Sequence, residues 1–181
     1  LANAPDGCLY VCDMYREVIE HPWSLPENMK KLLDLNAGND RGRIYRIAPD
    51  GFKTRKPPQL GKATTEELVA TLEGKNGWHR DTASRLLYER QDKAAVPLLA
   101  KLVRETKSPL ARHHALGSLD GLGGLNEEAI LTALADKDEH VRERGIYLSE
   151  TVMARQPLSA KLAEKLAGLA SDSSERVRFQ L

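Results

Sequence analysis

The sequence predicts a mainly α protein: a right-handed stack of helical hairpins, or α-solenoid, with a small two-stranded β element at its N-terminus. Three observations lead to this prediction. Apolar residues recur with helical spacing from about residue 63 onward. Arginines return at similar intervals within that region, which indicates a structural repeat. Before it, residues 8–13 and 43–47 have the short apolar runs typical of strands.

Composition restricts the classes of partner. The 181 residues can form one large domain, or one domain with an appendage. Lys and Arg total 27 against 26 Asp and Glu, whereas a nucleic-acid-binding protein usually carries a basic excess. No run approaches the roughly 20 apolar residues of a membrane-spanning helix. We therefore expect partners to be flanking domains of the same polypeptide or another protein, with no nucleic acid and no membrane span in this segment.

Proline and glycine divide the chain. A Pro-Asp-Gly turn follows the second predicted strand, and Pro57 and Pro58 stiffen the stretch after it. We expect residues 1–52 to be the end of a β domain, residues 53–62 a linker, and residues 63–181 about three and a half helical repeats. The first strand begins close to Leu1, and the chain has no initiator methionine, so we expect a segment of a larger protein.

The first strand should carry apolar side chains on both faces, with Leu9 and Val11 on one side and Cys8, Tyr10 and Cys12 on the other. This pattern indicates a strand covered on both sides by a larger fold. Four residues of extended chain separate the two cysteines by about 13 Å, too far for a disulfide between them. We expect both cysteines to fill a sheet face.

Between the strands, Pro26 suits the first turn of a short helix with Met29, Leu32 and Leu33 on one side. Residues 36–42 should then form a loop rich in Asn and Gly.

The helical region begins with a capping box, in which Thr64 and Glu67 have the required spacing. Leu68, Val69 and Leu72 form the apolar side of that first helix. Two more apolar stripes follow in later helices, and we expect their leucines Leu99 and Leu166 to lie in the core of the stack. Both later stripes follow the i, i+3, i+4, i+7, i+8 pattern: Ala95, Leu98, Leu99, Leu102 and Val103, then Leu162, Ala163, Leu166, Leu169 and Ala170.

One arginine stands near the start of the second helix of each predicted hairpin. Small residues follow three positions after the first three arginines, which would let paired helices approach closely. Asp136 and Asp172 each lie six residues before an arginine, and we expect such arginines to bind the turn aspartate of their own or a neighbouring repeat. Alternatively, the arginines line a groove for an acidic partner. The four arginines are Arg80, Arg112, Arg142 and Arg178.

No complete catalytic set appears, so we predict no catalytic residue. Asp13, Arg16 and Glu17 directly follow the first strand and could contact substrate, a cofactor or a metal. Alternatively they form a salt-bridged sheet edge in which Arg16 pairs with Asp13, Glu17 or Glu20. Residues 34–40 resemble a calcium loop superficially but lack the glycine and glutamate of an EF-hand, which favours a simple turn. No histidine has a ligand spacing, and we predict no metal site.

Two resemblances extend this interpretation. The Val141-Arg142 pair after Asp136, and Val177-Arg178 after Asp172, resemble the Asp…Val-Arg pattern of HEAT-type repeats, which implies a HEAT-like solenoid over about residues 64–181.

The N-terminal sequences at 6–17, 20–23 and 42–49 resemble the closing part of a β-propeller in the PVC-type membrane-bound dehydrogenases, relatives of the glucose/sorbosone dehydrogenases. In that family a propeller precedes HEAT-like repeats and a c-type haem domain. The resemblance implies that residues 1–52 end such a propeller and that the parent is a periplasmic or cell-envelope oxidoreductase. That parent would carry haem c and could use a quinone or calcium, whereas this chain lacks the Cys-x-x-Cys-His haem motif and is expected to hold no cofactor.

We therefore expect a non-catalytic scaffold that links a propeller oxidoreductase domain to a c-type haem domain. The alternative is a stand-alone HEAT-repeat module for protein–protein interaction. A third hypothesis is that Asp13, Arg16 and Glu17 complete an enzyme site together with further propeller blades.

Overall fold

The computed structural model describes residues 1–19, 21–53 and 56–181. Contacts between residues divide the chain into two compact units, Leu1–Pro58 and Gln59–Leu181. The first contains a small antiparallel sheet and the second is helical. The predicted class, mainly α with a small β element at the N-terminus, is confirmed.

The sheet has three strands rather than the predicted two. Its strands are β1 (Ala2–Asn3), β2 (Leu9–Asp13) and β3 (Arg43–Ile47), antiparallel in the order β1-β2-β3. Asp6 holds the turn between β1 and β2, because its Oδ1 accepts the Cys8 N–H at 2.9 Å. A two-residue strand is too short to show any periodicity, so the sequence could not reveal β1.

The sheet unit has almost no buried interior. Among its described side chains only Cys8 is buried, and every residue of β3 is exposed. Leu9, Tyr45 and Ile47 share one face of the sheet and remain 36%, 46% and 55% exposed. The sequence predicted a strand covered on both faces, but the described residues of this unit supply no second layer.

Both cysteines are free, as predicted. Cys8 is buried but Cys12 is exposed, so the expectation that both would fill a covered sheet face is wrong for Cys12.

The short helix after Pro26 ends sooner than predicted. Helix α1 covers only Glu27–Lys30, and Leu32 and Leu33 lie in the turn that follows. Leu32 is 85% exposed, so no apolar helix face extends to it.

The helical unit is a stack of four hairpins in two layers. Helices α2, α4, α6 and α8 contact one another in succession, as do α3, α5, α7 and α9. The helices are α2 (Thr65–Thr71), α3 (Gly77–Arg90), α4 (Ala95–Glu105), α5 (Pro109–Gly121), α6 (Glu127–Leu134), α7 (Glu139–Met153), α8 (Ala160–Gly168) and α9 (Glu175–Gln180), with a 3-10 turn at Leu169–Ser171.

Side chains begin these helices by accepting free N–H groups. The predicted capping box is confirmed: Thr64 Oγ1 accepts the Glu67 N–H at 3.2 Å, and Glu67 Oε2 accepts the Thr64 N–H at 2.8 Å. Asn76, Ser108 and Asp138 cap α3, α5 and α7 in a similar way.

One continuous apolar core runs through the hairpins. Leu99 is completely buried, as predicted, whereas Leu166 is only partly buried and packs against the core. Leu162 and Leu169 occupy the inner positions instead, because α8 ends at Gly168 and the following 3-10 turn redirects the chain.

The core also includes Leu60, which the sequence placed in the linker. Leu60 begins a 3-10 helix, Leu60–Lys62, and is only 6% exposed. Arg90 donates hydrogen bonds to the carbonyl oxygens of Leu60, Gly61 and Ala63. Residues 60–62 therefore belong to the helical unit, while Thr54 and Arg55 of the predicted linker lie outside the described residues.

Gly145 lets α7 approach α6 closely. A Cβ at this position would lie 3.0 Å from Ala133 Cβ, 3.0 Å from Leu134 Cδ2 and 3.2 Å from the Leu134 backbone nitrogen. The small residue three positions after Arg142 thus has the packing role that the repeat pattern indicates.

Gly145→Val should lower the free energy of unfolding by about 1–2 kcal/mol, because overpacking outweighs the gain in helix propensity. The matched control is Gly168→Val, where nothing lies within 4 Å of the added Cβ. Urea unfolding followed by circular dichroism measures both variants, and equal midpoints would contradict the close-packing role.

No helix among the described residues is both long enough and apolar enough to cross a membrane.

Candidate functional site

The chain leaves β2 through a constrained turn. Asp13 Oδ1 accepts the Tyr15 N–H at 2.8 Å, and Tyr15 has a left-handed φ of 51°. Gly38, with φ 75°, packs so closely against the Tyr15 carbonyl that a Cβ there would collide with it. This position therefore requires glycine, both for its φ and for the close approach.

Arg16 ties this turn to the following loop. Its Nη2 donates to the Leu35 carbonyl oxygen at 2.6 Å, and the Glu17 N–H donates to Ala37 at 3.4 Å. Arg16 Nε is buried and has no hydrogen-bond partner among the described residues.

The three predicted site residues are therefore close in sequence, but their side chains do not contact a common group. Asp13 and Arg16 each bind main chain, and Glu17 is exposed. Within the described part of the chain, Arg16 forms none of the predicted ion pairs; Glu20, the other proposed partner, lies outside it.

An aromatic and cationic cluster stands beside this turn. The Arg43 guanidinium lies 4.0 Å from the Tyr15 ring centroid and 5.8 Å from that of Tyr45, and Nη1 donates to the Tyr45 hydroxyl at 3.2 Å. Asp13 lies opposite Arg43 in the register of β2 and β3. The sequence analysis missed this cluster, because it depends on the strand register and on the φ of Tyr15.

The loop at residues 34–40 is a series of turns. Asp34 Oδ1 accepts the Asn36 N–H at 2.9 Å, and backbone bonds link Ala37 to Asp34 and Asn39 to Asn36. The described residues contain no group of three His, Cys, Asp or Glu side chains placed to hold a metal ion.

In the helical unit, arginines join successive hairpins. Arg142 on α7 donates from Nε and Nη2 to the two Asp172 carboxylate oxygens, at 2.8 and 2.7 Å. Arg112 on α5 pairs with Asp136, which precedes α7, through Nη1 and one carboxylate oxygen only, while its Nε donates to the Val103 carbonyl oxygen. In both pairs the aspartate belongs to the next hairpin rather than to the arginine's own.

Two of the repeat arginines also donate hydrogen bonds to carbonyl oxygens in the turn before their own helix. Arg142 Nη1 donates to the carbonyl oxygens of Asp136 and Lys137 at 2.9 and 3.0 Å. Arg80 Nη1 donates equally to Gly74 and Lys75, at 2.8 and 2.9 Å.

Arg80 lacks the carboxylate that Arg112 and Arg142 have. Thr106 occupies the position of the turn aspartate in the next hairpin, and its hydroxyl donates to Glu73 instead. Arg80 Nε is left buried with no hydrogen-bond partner among the described residues.

The ion pair between Arg142 and Asp172 favours the charged form of both side chains. The Arg142 side chain, with the Ser174 N–H, lowers the pKa of Asp172 below its usual 3.8. Since the folded pKa is depressed, this contribution to stability is present at neutral pH and is lost as the pH falls through the folded pKa.

Two histidines on α5 face neighbouring hairpins. His114 Nε2 lies 3.8 Å from Asp81 on α3. Burial lowers the pKa of His114 below 6.5, with Asp81 opposing this shift, and burial together with Arg144 lowers that of His113.

These lowered pKa values predict that stability falls as the pH drops below about 6.5, because the unfolded chain then binds protons that the folded chain resists. We expect a lower thermal midpoint at pH 5.5 than at pH 7.5, in a window above the titration of the carboxylates. His114→Gln should weaken this dependence, and an unchanged pH profile in that variant would contradict the assignment.

A family model for a domain of unknown function (DUF7133) matches residues 1–51. The match covers less than a third of the chain and includes the sheet and the Arg16 turn, but none of the helical hairpins. No curated protein and no solved structure matches the chain.

Proposed function

We propose that this chain is a helical-repeat scaffold that joins a β-propeller oxidoreductase domain to a c-type haem domain in an envelope dehydrogenase of the periplasm. Residues 1–52 would end the propeller, and the HEAT-like hairpins of residues 63–181 would set the separation of the two domains. The chemistry would belong to the flanking domains.

The observation that carries this proposal is the exposed apolar surface of the sheet unit. Cys8 is its only buried side chain among those described, although a domain of about 60 residues normally buries some 60% of its unfolded surface. Leu9, Tyr45 and Ile47 leave one sheet face uncovered. Such a sheet gains stability when another element covers its apolar face, and in a propeller the neighbouring blades would supply that cover.

The helical unit, unlike the sheet unit, buries its apolar side chains, and this suits a rigid spacer. It has its own continuous core, and the pairs Arg112–Asp136 and Arg142–Asp172 fasten successive hairpins. A stack clamped in this way would hold two attached domains at a fixed distance.

Under this proposal the cofactors of the resembled family belong to the flanking domains. Cys8 and Cys12 lack the spacing for haem attachment, and no metal-holding group occurs among the described residues. Haem c, and any quinone or calcium, would be held elsewhere in the parent protein.

The test has two parts. The reading frame around this segment should encode blade-like strands upstream and a Cys-x-x-Cys-His motif downstream. In the purified parent, duplication of the α6–α7 hairpin should leave dye-coupled substrate oxidation intact but slow reduction of the haem. A reading frame that encodes only this segment, or haem reduction at an unchanged rate, would contradict the scaffold.

A stand-alone interaction module is the second candidate, favoured by a groove of about 810 Å³ between α6 and α8. Leu131 and Leu169 lie among its lining residues, with Glu128 and Lys165. Under this hypothesis a partner would occupy the groove, and Lys165→Glu would weaken its binding by reversing one charge of the lining.

A further inference from the structure

The tetrapeptide Ala-Pro-Asp-Gly occurs twice in the sheet unit, at residues 4–7 and 48–51. The first copy turns the chain from β1 into β2, and the second copy follows β3. In both turns the glycine has a positive φ, 88° at Gly7 and 71° at Gly51. Because the two tetrapeptides are identical, a difference in reactivity between Asp6 and Asp50 must come mainly from their surroundings.

An aspartate followed by glycine can react with its own backbone. The glycine nitrogen bonds to the aspartate Cγ, and the amide proton leaves with the carboxyl hydroxyl as water, which closes a succinimide ring. Water then opens the ring at either carbonyl and gives back aspartate or isoaspartate, so one water is lost and one is gained. Glycine favours the first step because it has no Cβ to hinder a close approach.

The carboxylate of Asp6 is held in place. Its Oδ1 accepts the Cys8 N–H at 2.9 Å, and its Oδ2 accepts the Tyr10 hydroxyl at 3.1 Å. Arg46 Nη1 lies 3.6 Å from the same Oδ2. The Cys8 N–H in particular lowers the pKa of Asp6 below its usual 3.8. Since the ring closes from the protonated acid, these contacts slow the reaction at Asp6.

The second turn leaves both reacting groups free. Asp50 is exposed, and no hydrogen bond or ion pair joins its carboxylate to another described residue. The Gly7 N–H donates to the Ala4 carbonyl oxygen at 3.0 Å, whereas the Gly51 N–H donates to no acceptor in the described part of the chain. Nothing lies within 4 Å of the position that a Cβ would take at Gly51. The nitrogen can therefore reach the carboxyl group without displacing a neighbour.

We propose that Asp50 is a site of spontaneous covalent modification, at which the folded chain converts aspartate to isoaspartate through a succinimide, while Asp6 in the identical tetrapeptide is protected by its contacts. The conversion inserts one methylene group into the main chain directly after β3 and leaves the carboxylate attached to Cα. It requires water alone, and it does not depend on the dehydrogenase scaffold.

The test measures oxygen taken up from water, because each opening of the ring adds one solvent oxygen to the aspartate. The full chain is incubated in H₂¹⁸O at neutral pH and then digested with trypsin in ordinary water. Asp50 is the only aspartate or asparagine in peptide 47–53, and fragmentation of peptide 1–16 locates any label at Asp6. Label should accumulate at Asp50 at least tenfold faster than at Asp6. The labelled peptide 47–53 should also divide into two chromatographic peaks of equal mass.

Two controls separate the surroundings from the sequence. In guanidinium chloride the contacts of Asp6 are lost, and the two aspartates should take up label at similar rates. Gly51→Ala places a methyl group beside the reacting nitrogen, and it should slow labelling at Asp50 while leaving Asp6 unchanged.

Two results would overturn the proposal. In the first, the folded chain takes up no label at Asp50, or takes it up at the same rate at Asp6. In the second, Asp50 reacts faster than Asp6 by the same ratio in the folded and unfolded chains, so that flanking residues rather than the contacts of Asp6 cause the difference.

Discussion

Leu99→Ala is expected to lower the free energy of unfolding of the helical unit by about 2–5 kcal/mol. Leu99 lies in α4 and is completely buried in the core. Truncation removes its apolar contacts and leaves a cavity that rigid neighbouring helices fill only in part. Urea denaturation followed by the helical circular dichroism signal measures the loss.

The matched control is Leu110→Ala in α5, since Leu110 is 58% exposed and should contribute within about 0.5 kcal/mol. Similar losses for the two variants would mean that the Leu99 side chain is not packed in the core of the stack.

Arg142→Ala is expected to cost about 1–3 kcal/mol, because hydrogen bonds to a charged group are lost. The change removes two bonds to Asp172 and leaves that carboxylate, whose side chain is only 9% exposed, without its cation. Chemical denaturation measures the loss, which should be largest near neutral pH, where Asp172 is ionised.

Arg80→Ala is the control for the turn contacts alone. Arg80 makes the same two carbonyl bonds as Arg142 but has no carboxylate partner among the described residues, so its removal should cost less. Asp172→Asn should reproduce part of the Arg142→Ala loss. Equal losses at Arg80 and Arg142 would show that the ion pair between hairpins contributes nothing.

The helical architecture could be predicted because its signals are local. Spacing along α4 placed Leu99 in the core, and Thr64 with Glu67 identified the start of α2, since helix period and capping depend on neighbours within one or two turns. Leu166 was placed less well, because the end of α8 at Gly168 and the 3-10 turn beyond it leave no pattern in the sequence.

The recurring arginines could be recognised in the sequence, but the hairpin that each arginine side chain contacts could not. A repeat register places Arg142 and Asp172 at recurring positions without saying which hairpins they connect. The forward reach became evident only from the stacking of α7 beside α9. Thr106 in place of an aspartate likewise gave no signal that Arg80 would remain unpaired.

The candidate site after β2 was the least predictable part. Asp13, Arg16 and Glu17 are adjacent in sequence, yet Arg16 bonds to Leu35, nineteen residues away. That contact depends on the left-handed φ of Tyr15 and on the approach of Gly38. Neither can be derived from the residue types alone.

Hydrogen–deuterium exchange of the whole chain tests the central claim most directly: a self-sufficient helical stack that carries a sheet built to be covered by another domain. We predict slow exchange in the central turns of α3, α4, α5 and α7, and fast exchange of the backbone amides in Leu9–Asp13 and Arg43–Ile47. Strand amides protected as strongly as those of the helices would contradict this account, since the sheet would then be stable without a covering partner.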